Sequence, residues 1–219
     1  LKLCHTLGLS QTTGAGLVEA EKVRQYRDTR GISLPLMKKL LDLPGTADVK
    51  GLRDTFLLRL AFENGLRRME ISALDVSDLQ LRERRLQIRG KGRGTQKEFV
   101  DVSPRLIAAA RAYLKASGHR SGPLFRNVSP NTAGRGAEGR LTPDGVYYVV
   151  SYYGRQLGLT LSPHRLRHTA ITQAAKEVNG DLMALLEFSR HKDIKTAQIY
   201  VDNVQAAQRK ITNKLSRKV

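Results

Sequence analysis

The chemically capable side chains of this chain crowd into residues 162 to 200. The stretch opens as SPHRLRHT, passes through RHKD at residues 190 to 193 and ends on Tyr200. Ser162 is a good helix N-cap, and Pro163 suits the first helical position, where its missing N–H costs nothing. His164 and Arg167 are three apart, so they share a face near the electropositive helix N-terminus. That pairing makes a site for a phosphate. His191 adds a donor, and Tyr200 adds a hydroxyl nine residues later. An anion site beside a tyrosine points to attack on a phosphodiester.

Two further segments fit that chemistry. NGLRRME places Arg67 just after a glycine turn, with Glu70 three residues on. RGKGRG places Lys91 at the tip of a turn. Taken alone, the first is a helix start with a solvated arginine pair and the second is a basic turn. Neither is a nucleotide loop: the Gly-x-x-x-x-Gly-Lys-Ser/Thr spacing is absent, and Gly90, Gly92 and Gly94 do not make a dinucleotide fingerprint. His164 and His168 have the i, i+4 spacing of zinc ligands. Between them stand Arg165, Leu166 and Arg167, two positive charges and no Glu, which argues against a metal. His168 reads as a packed helix residue. Tyr147, Tyr148, Tyr152 and Tyr153 read as core or interface residues of one helix.

The elements that must position these residues can be read from period and punctuation. Residues 34 to 43 make a short amphipathic helix with Ser33 as its cap. Residues 50 to 65 place Leu52, Phe56, Leu57, Leu60 and Phe62 near helical spacing, and Gly65 ends them. Residues 66 to 74 resume helical character. Then the period changes to two: LQIR at 86 to 89 and EFVDV at 98 to 102 flank GKGRGTQ, which predicts a β-hairpin. Residues 104 to 117 are helical, with Leu106, Ile107, Ala110 and Leu114 on one face. Residues 127 to 140 are Gly-rich and polar and read as a mobile loop. Thr142-Pro143 caps a helix to about Leu157, Asn179-Gly180 stops the one that follows, and residues 201 to 219 form a basic helical tail. The expected fold class is α+β, mainly helical, with a small antiparallel β-sheet.

Composition narrows the partner. The 219 residues carry a formal net charge of +18, spread along the chain, with 40% hydrophobic residues and no Trp. An imbalance of that size argues for a polyanion, most often nucleic acid. Cys4 is the only cysteine, so no intrachain disulfide forms, which fits a cytoplasmic location. No apolar run nears the roughly 20 residues that span a bilayer, so no membrane partner is expected. The chain starts at Leu1, and residues 1–33 read as the remnant of an upstream domain and linker. A catalytic domain at 34–203 and a helical tail at 204–219 complete the expected organisation.

Together, NGLRRME, IRGKGRGTQKEFVDV, SPHRLRHTA and FSRHKDIKTAQIYVD resemble the tyrosine recombinases, or phage-type integrases, over about residues 34 to 203. Lys91 lies 24 residues after Arg67 and Tyr200 nine after His191, which is similar to that family's spacing. One departure stands out. Where the family often has Leu-Gly-His, this chain has Ser189-Arg190-His191.

The resemblance implies a catalytic set of Arg67, Lys91, His164, Arg167, His191 and Tyr200, acting on double-stranded DNA without cofactor, metal or ATP. Arg67 and Arg167 would neutralise the scissile phosphate with planar, permanently charged forks. Such clamps are worth about 10³–10⁵ in rate in other phosphoryl-transfer enzymes. A free tyrosine has a pKa of about 10 and needs help to ionise. His164 would help take its proton, and Lys91 would protonate the leaving 5′-oxygen. Glu70 would orient its neighbours. The implied product is a 3′-phosphotyrosine, and the implied activity is site-specific strand exchange by a homo-oligomer, a tetramer on DNA joined through the tail. A type IB topoisomerase and a non-catalytic DNA-binding module are the alternatives. A metal nuclease ranks below both for lack of a carboxylate cluster.

Overall fold

A computed structural model of the chain describes residues 31–89, 97–128 and 139–216, together with Gly8. Among the described residues the helices are α1 (Leu34–Asp42), α2 (Val49–Glu63), α3 (Arg68–Ser72), α4 (Pro104–Ser117), α5 (Pro143–Gln156), α6 (Pro163–Glu177), α7 (Leu182–Ser189) and α8 (Ile194–Ser216). Strands β1 (Leu79–Gln80), β2 (Arg85–Arg89) and β3 (Lys97–Asp101) pair antiparallel in the order β1-β2-β3. The fold is α+β and mainly helical. Lys91 lies outside the described residues, as do residues 1–30 apart from Gly8, residues 129–138 of the Gly-rich stretch, and 217–219.

The caps follow from hydroxyl chemistry. Ser103, Thr142 and Ser162 each precede a proline, and each side chain accepts from a backbone N–H three residues on: Leu106 at 3.0 Å, Gly145 at 3.1 Å and Arg165 at 3.2 Å. Each bond satisfies one donor that a helix start leaves without an intrahelical partner. Ser33 sits at the N-cap of α1 in extended conformation without making such a bond.

Helix α2 is the centre of the main core. Phe56, Leu57, Leu58, Leu60 and Ala61 are fully buried and face more than one direction, so neighbours must surround the helix. It packs on α1, α3, α4, α5 and α6. The sheet joins this core through Leu86 and Ile88, two apart on β2 and so on one face. A second, smaller core of Ile171, Ala175, Leu185, Ala197, Tyr200 and Val201 lies among α6, α7 and α8. Helix α6 serves both, because Leu166 belongs to the first and Ile171 to the second.

Two local outcomes differ from the sequence expectations. The C-terminal helix starts at Ile194, before Tyr200, so the tyrosine and the tail share one continuous helix with no connection between them. The tail boundary at 203/204 therefore falls inside α8. Upstream, the chain is already seated on the core before α1: Ile32 donates its N–H to Thr169 Oγ1 at 3.0 Å, and a Cβ at Gly31 would fall 2.5 Å from the Thr169 Cα.

Candidate active site

The site is built around the turn between α2 and α3. Gly65 ends α2 with φ +57°, a left-handed conformation that glycine adopts without cost. That turn aims the Gly65 carbonyl inward, where the Arg167 guanidinium donates to it. Arg167 also donates to the Ser189 carbonyl at the end of α7, so one side chain joins α6, α7 and the α2–α3 turn. It is 4% exposed. Burial, then the neighbouring Arg67 and Arg190, pull its pKa down to about 9, which leaves it cationic at neutral pH. Arg67 precedes α3 as its N-cap. Its N–H donates to Glu70 Oε2 at 2.8 Å and its Nη1 to Glu70 Oε1 at 2.6 Å. Its Nη2 donates to the Arg190 carbonyl at 3.2 Å.

Both arginines line a cavity of about 750 Å³. His164, Ser162 and Pro163 from the start of α6 line it too, as do Arg89 at the end of β2 and Tyr147 on α5. The N-terminus of α6 is thus one wall, and the guanidiniums of Arg67, Arg68, Arg89 and Arg167 with the His164 imidazole complete a surface suited to an anion. Among the described residues, no group of three or more His, Cys, Asp or Glu is placed to hold a metal ion.

Tyr200 is 3% exposed and has two histidines beside it. The His191 ring lies near-parallel to the Tyr200 ring, 5.9 Å between centroids. The His168 ring centroid is 5.7 Å away, and its Nδ1 is hydrogen-bonded to the Tyr200 hydroxyl. His168 Nε2 in turn meets His164 Nε2 at 2.7 Å. Two neutral imidazoles satisfy both bonds when Tyr200 donates to His168 Nδ1 and His168 Nε2–H donates to His164. Moving one proton along each bond yields a phenolate and a His164 imidazolium beside the cavity. The hydrogen bonds therefore trace a path from the tyrosine hydroxyl to the cavity wall.

Residues 36–206 match the phage integrase family. The chain belongs to that family. Among its integrase relatives, the tyrosine recombinase slr0733 of Synechocystis sp. is 37% identical over 203 residues, covering 91% of this chain and 63% of that protein. The tyrosine recombinase Synpcc7942_B2651 of Synechococcus elongatus is 36% identical over 204 residues, covering 91% of this chain and 62% of the other. The integrase chain thus spans about three fifths of the length of these curated relatives. Solved structures share the fold. The crystal structure of XerA recombinase has a TM-score of 0.65 at 22% identity, over 84% of this chain and 64% of that one. XerH site-specific recombinase, bound to palindromic difH substrate in a post-cleavage complex, has a TM-score of 0.68 at 19% identity, over 94% and 55%.

Of the six sequence-predicted residues, the integrase fold brings Arg67, His164 and Arg167 to one cavity and places His191 and Tyr200 ring against ring. Lys91 is outside the described residues, between β2 and β3. Two residues carry more than their sequence reading. His168 read as a packed residue, but it bridges Tyr200 to His164. Its four-residue spacing from His164 was the available signal, since that spacing puts two rings side by side on one helix face. Arg190 read only as a departure from a glycine, and its side chain turns back into the α2–α3 turn.

Proposed function

We propose that the protein containing this chain is a site-specific DNA recombinase that cleaves and rejoins double-stranded DNA through a 3′-phosphotyrosine at Tyr200. One observation carries this reading: a tyrosine hydroxyl is linked by hydrogen bonds to the same cavity wall that presents Arg67 and Arg167. In the reaction the Tyr200 oxygen attacks phosphorus and its proton passes to His168 and on to His164. Arg67 and Arg167 hold the non-bridging oxygens as charge develops on them. His191 hydrogen-bonds the phosphate and packs against the Tyr200 ring. Lys91 supplies the proton to the departing 5′-oxygen. The phosphotyrosine ester conserves the bond energy, so rejoining requires no ATP and no metal. The substrate places the enzyme in the cytoplasm, and the charge of +18 supplies affinity that weakens with salt.

Strand exchange requires several copies, and α8 offers the contact. Ile211 and Leu215 stand 59% exposed on its second half. A groove lined by Phe99, Phe188, Glu63, Glu98, Asp101 and Glu187 lies between β3 and α7. Its apolar and acidic character complements the apolar, basic tail of a second copy. A head-to-tail contact of this kind closes a ring.

The test uses a nicked suicide DNA duplex bearing the protein's own site. The complete protein forms a covalent adduct that maps to Tyr200, and Tyr200→Phe binds the DNA but forms none. An adduct that persists in Tyr200→Phe, or maps to Tyr147 or Tyr148, overturns the assignment.

A further inference from the structure

Arg190 occupies a position built for glycine. It follows α7 with φ +52° and ψ +38°, and its N–H caps the Leu186 carbonyl at 2.8 Å. An L-residue other than Asn or Asp rarely adopts that conformation, and strain of this kind marks positions where the side chain has a task. The side chain is 7% exposed. Nη1 donates to the carbonyls of Asn64 at 3.2 Å and Phe188 at 3.0 Å. Nη2 donates to the Gly65 carbonyl at 3.3 Å and to Glu70 Oε2 at 3.4 Å. Nε lies 3.7 Å from Glu98 Oε1 on β3. One guanidinium thus ties together the end of α2, the start of α3, the end of α7 and β3.

Arg190 is not part of the cavity wall. Its partners lead to a residue that is. Glu70 Oε2 is shared between Arg190 and the Arg67 N–H, while Glu70 Oε1 holds Arg67 Nη1. The Arg190 carbonyl holds Arg67 Nη2. Arg190 therefore grips Arg67 at both ends, through its own carbonyl and through a carboxylate that it shares. Burial lowers the Arg190 pKa, and Arg67 beside it acts in the same direction; Glu70 and Glu98 oppose both. Glu70 already pairs with Arg67 through both oxygens, so the Arg190 side chain is the further cation that holds the shared carboxylate in place.

We propose that Arg190 is a positioning residue that fixes Glu70 and, through it, the orientation in which Arg67 meets the scissile phosphate. The proposal rests on the recombinase reading given above. It is tested by a double-mutant cycle in the complete protein, on the nicked suicide duplex at saturating DNA. Wild type and Tyr200→Phe run alongside, and an adduct in the first alone shows that the underlying reading holds. Arg190→Gly relieves the backbone strain but strands the carboxylates and carbonyls that the guanidinium held, so its melting temperature should fall and the assays run well below it, while its Kd for DNA stays within about two-fold. Its adduct should form about 10²-fold more slowly, the cost of a small misplacement of a reacting group. In an Arg67→Ala background the same change should slow the reaction no further. Arg190→Lys keeps the charge but not the fork and should be slow as well; it carries the test should Arg190→Gly not fold. Losses that multiply with those of Arg67→Ala, or a Kd that weakens while the rate holds, overturn the proposal.

Discussion

The Tyr200 hydroxyl is buried beside an imidazole, and the proposed attack by its oxygen requires an acceptor for its proton. In the tautomer that lets Tyr200 donate, His168 Nδ1 takes that place, and His164 Nε2 extends the path toward the cavity. If His168 relays the proton, His168→Ala should slow adduct formation by about 10²–10⁴-fold, the usual worth of a general base. Replacing Tyr200 with a fluorinated tyrosine, whose hydroxyl ionises at lower pH, should restore much of the loss in His168→Ala and change the parent protein little. Equal effects of fluorination in both would show that His168 only packs. Residue by residue, the sequence revealed what lies within one element. Ser162, His164 and Arg167 could be placed because a cap and a three-residue spacing define a helix face. The bond from His168 to Tyr200 joins residues 32 apart, and no local period encodes it. Arg190 was visible as an odd letter, but its partners, Asn64, Gly65 and Glu70, come from the other end of the domain.

At the scale of elements, α2 and α5 are joined by a polar cluster inside an apolar interface. Asp54 is fully buried and accepts from Arg53 Nε at 2.8 Å, from Lys50 Nζ at 2.9 Å and from the Tyr153 hydroxyl at 3.0 Å. Arg53 also donates to the Arg126 carbonyl at 3.0 Å, which brings in the segment after α4. Burial, then the Asp54 charge, push the Tyr153 hydroxyl up to about 12, so it stays a donor. Asp54→Ala would strand the buried Arg53 charge, and the expected cost is about 3–5 kcal/mol. Tyr153→Phe removes one neutral donor from the same carboxylate and should cost about 1 kcal/mol. Urea unfolding of the two variants measures both; a cost for Asp54→Ala no larger than that for Tyr153→Phe would show that Arg53 finds another partner. The hydrophobic period located α2 in the sequence and the Thr142-Pro143 cap located α5. Neither could locate this cluster, whose members look like solvated charges until the helices meet. Helix α8 was missed before residue 201 for a related reason. Its first turns bury only Ala197, Tyr200 and Val201, too few apolar positions to show a period.

At the scale of the whole molecule, the continuity of α8 would couple the proposed assembly contact to Tyr200, which lies on the same helix. Val201 is buried, Val204 packs against the second core, and Ile211 and Leu215 are exposed on the same helix. The apolar stripe of α8 is therefore divided: its first part holds Tyr200 in place, and its second part is open to a partner. A cut at residue 204 would remove Val204 and disturb the tyrosine's own core, so it cannot separate the two roles. Ile211→Glu with Leu215→Glu can, because neither side chain contributes to the buried cores and surface changes of this kind cost within about 0.5 kcal/mol. In the complete protein, the paired change should leave the melting temperature and the affinity for one DNA site unaltered. Glutamates meeting the carboxylates of Glu63, Glu98, Asp101 and Glu187 in the groove of a neighbouring copy would repel it, so exchange between two sites should fall by at least about ten-fold, the effect of 1.4 kcal/mol. Changing Glu187 to Lys on the groove should recover part of that exchange by restoring opposite charges across the contact. Undiminished exchange in the paired variant would show that α8 ends in solvent and that assembly uses another surface. A fall in melting temperature equal to the fall in exchange would show that the outer stripe belongs to the fold of its own chain.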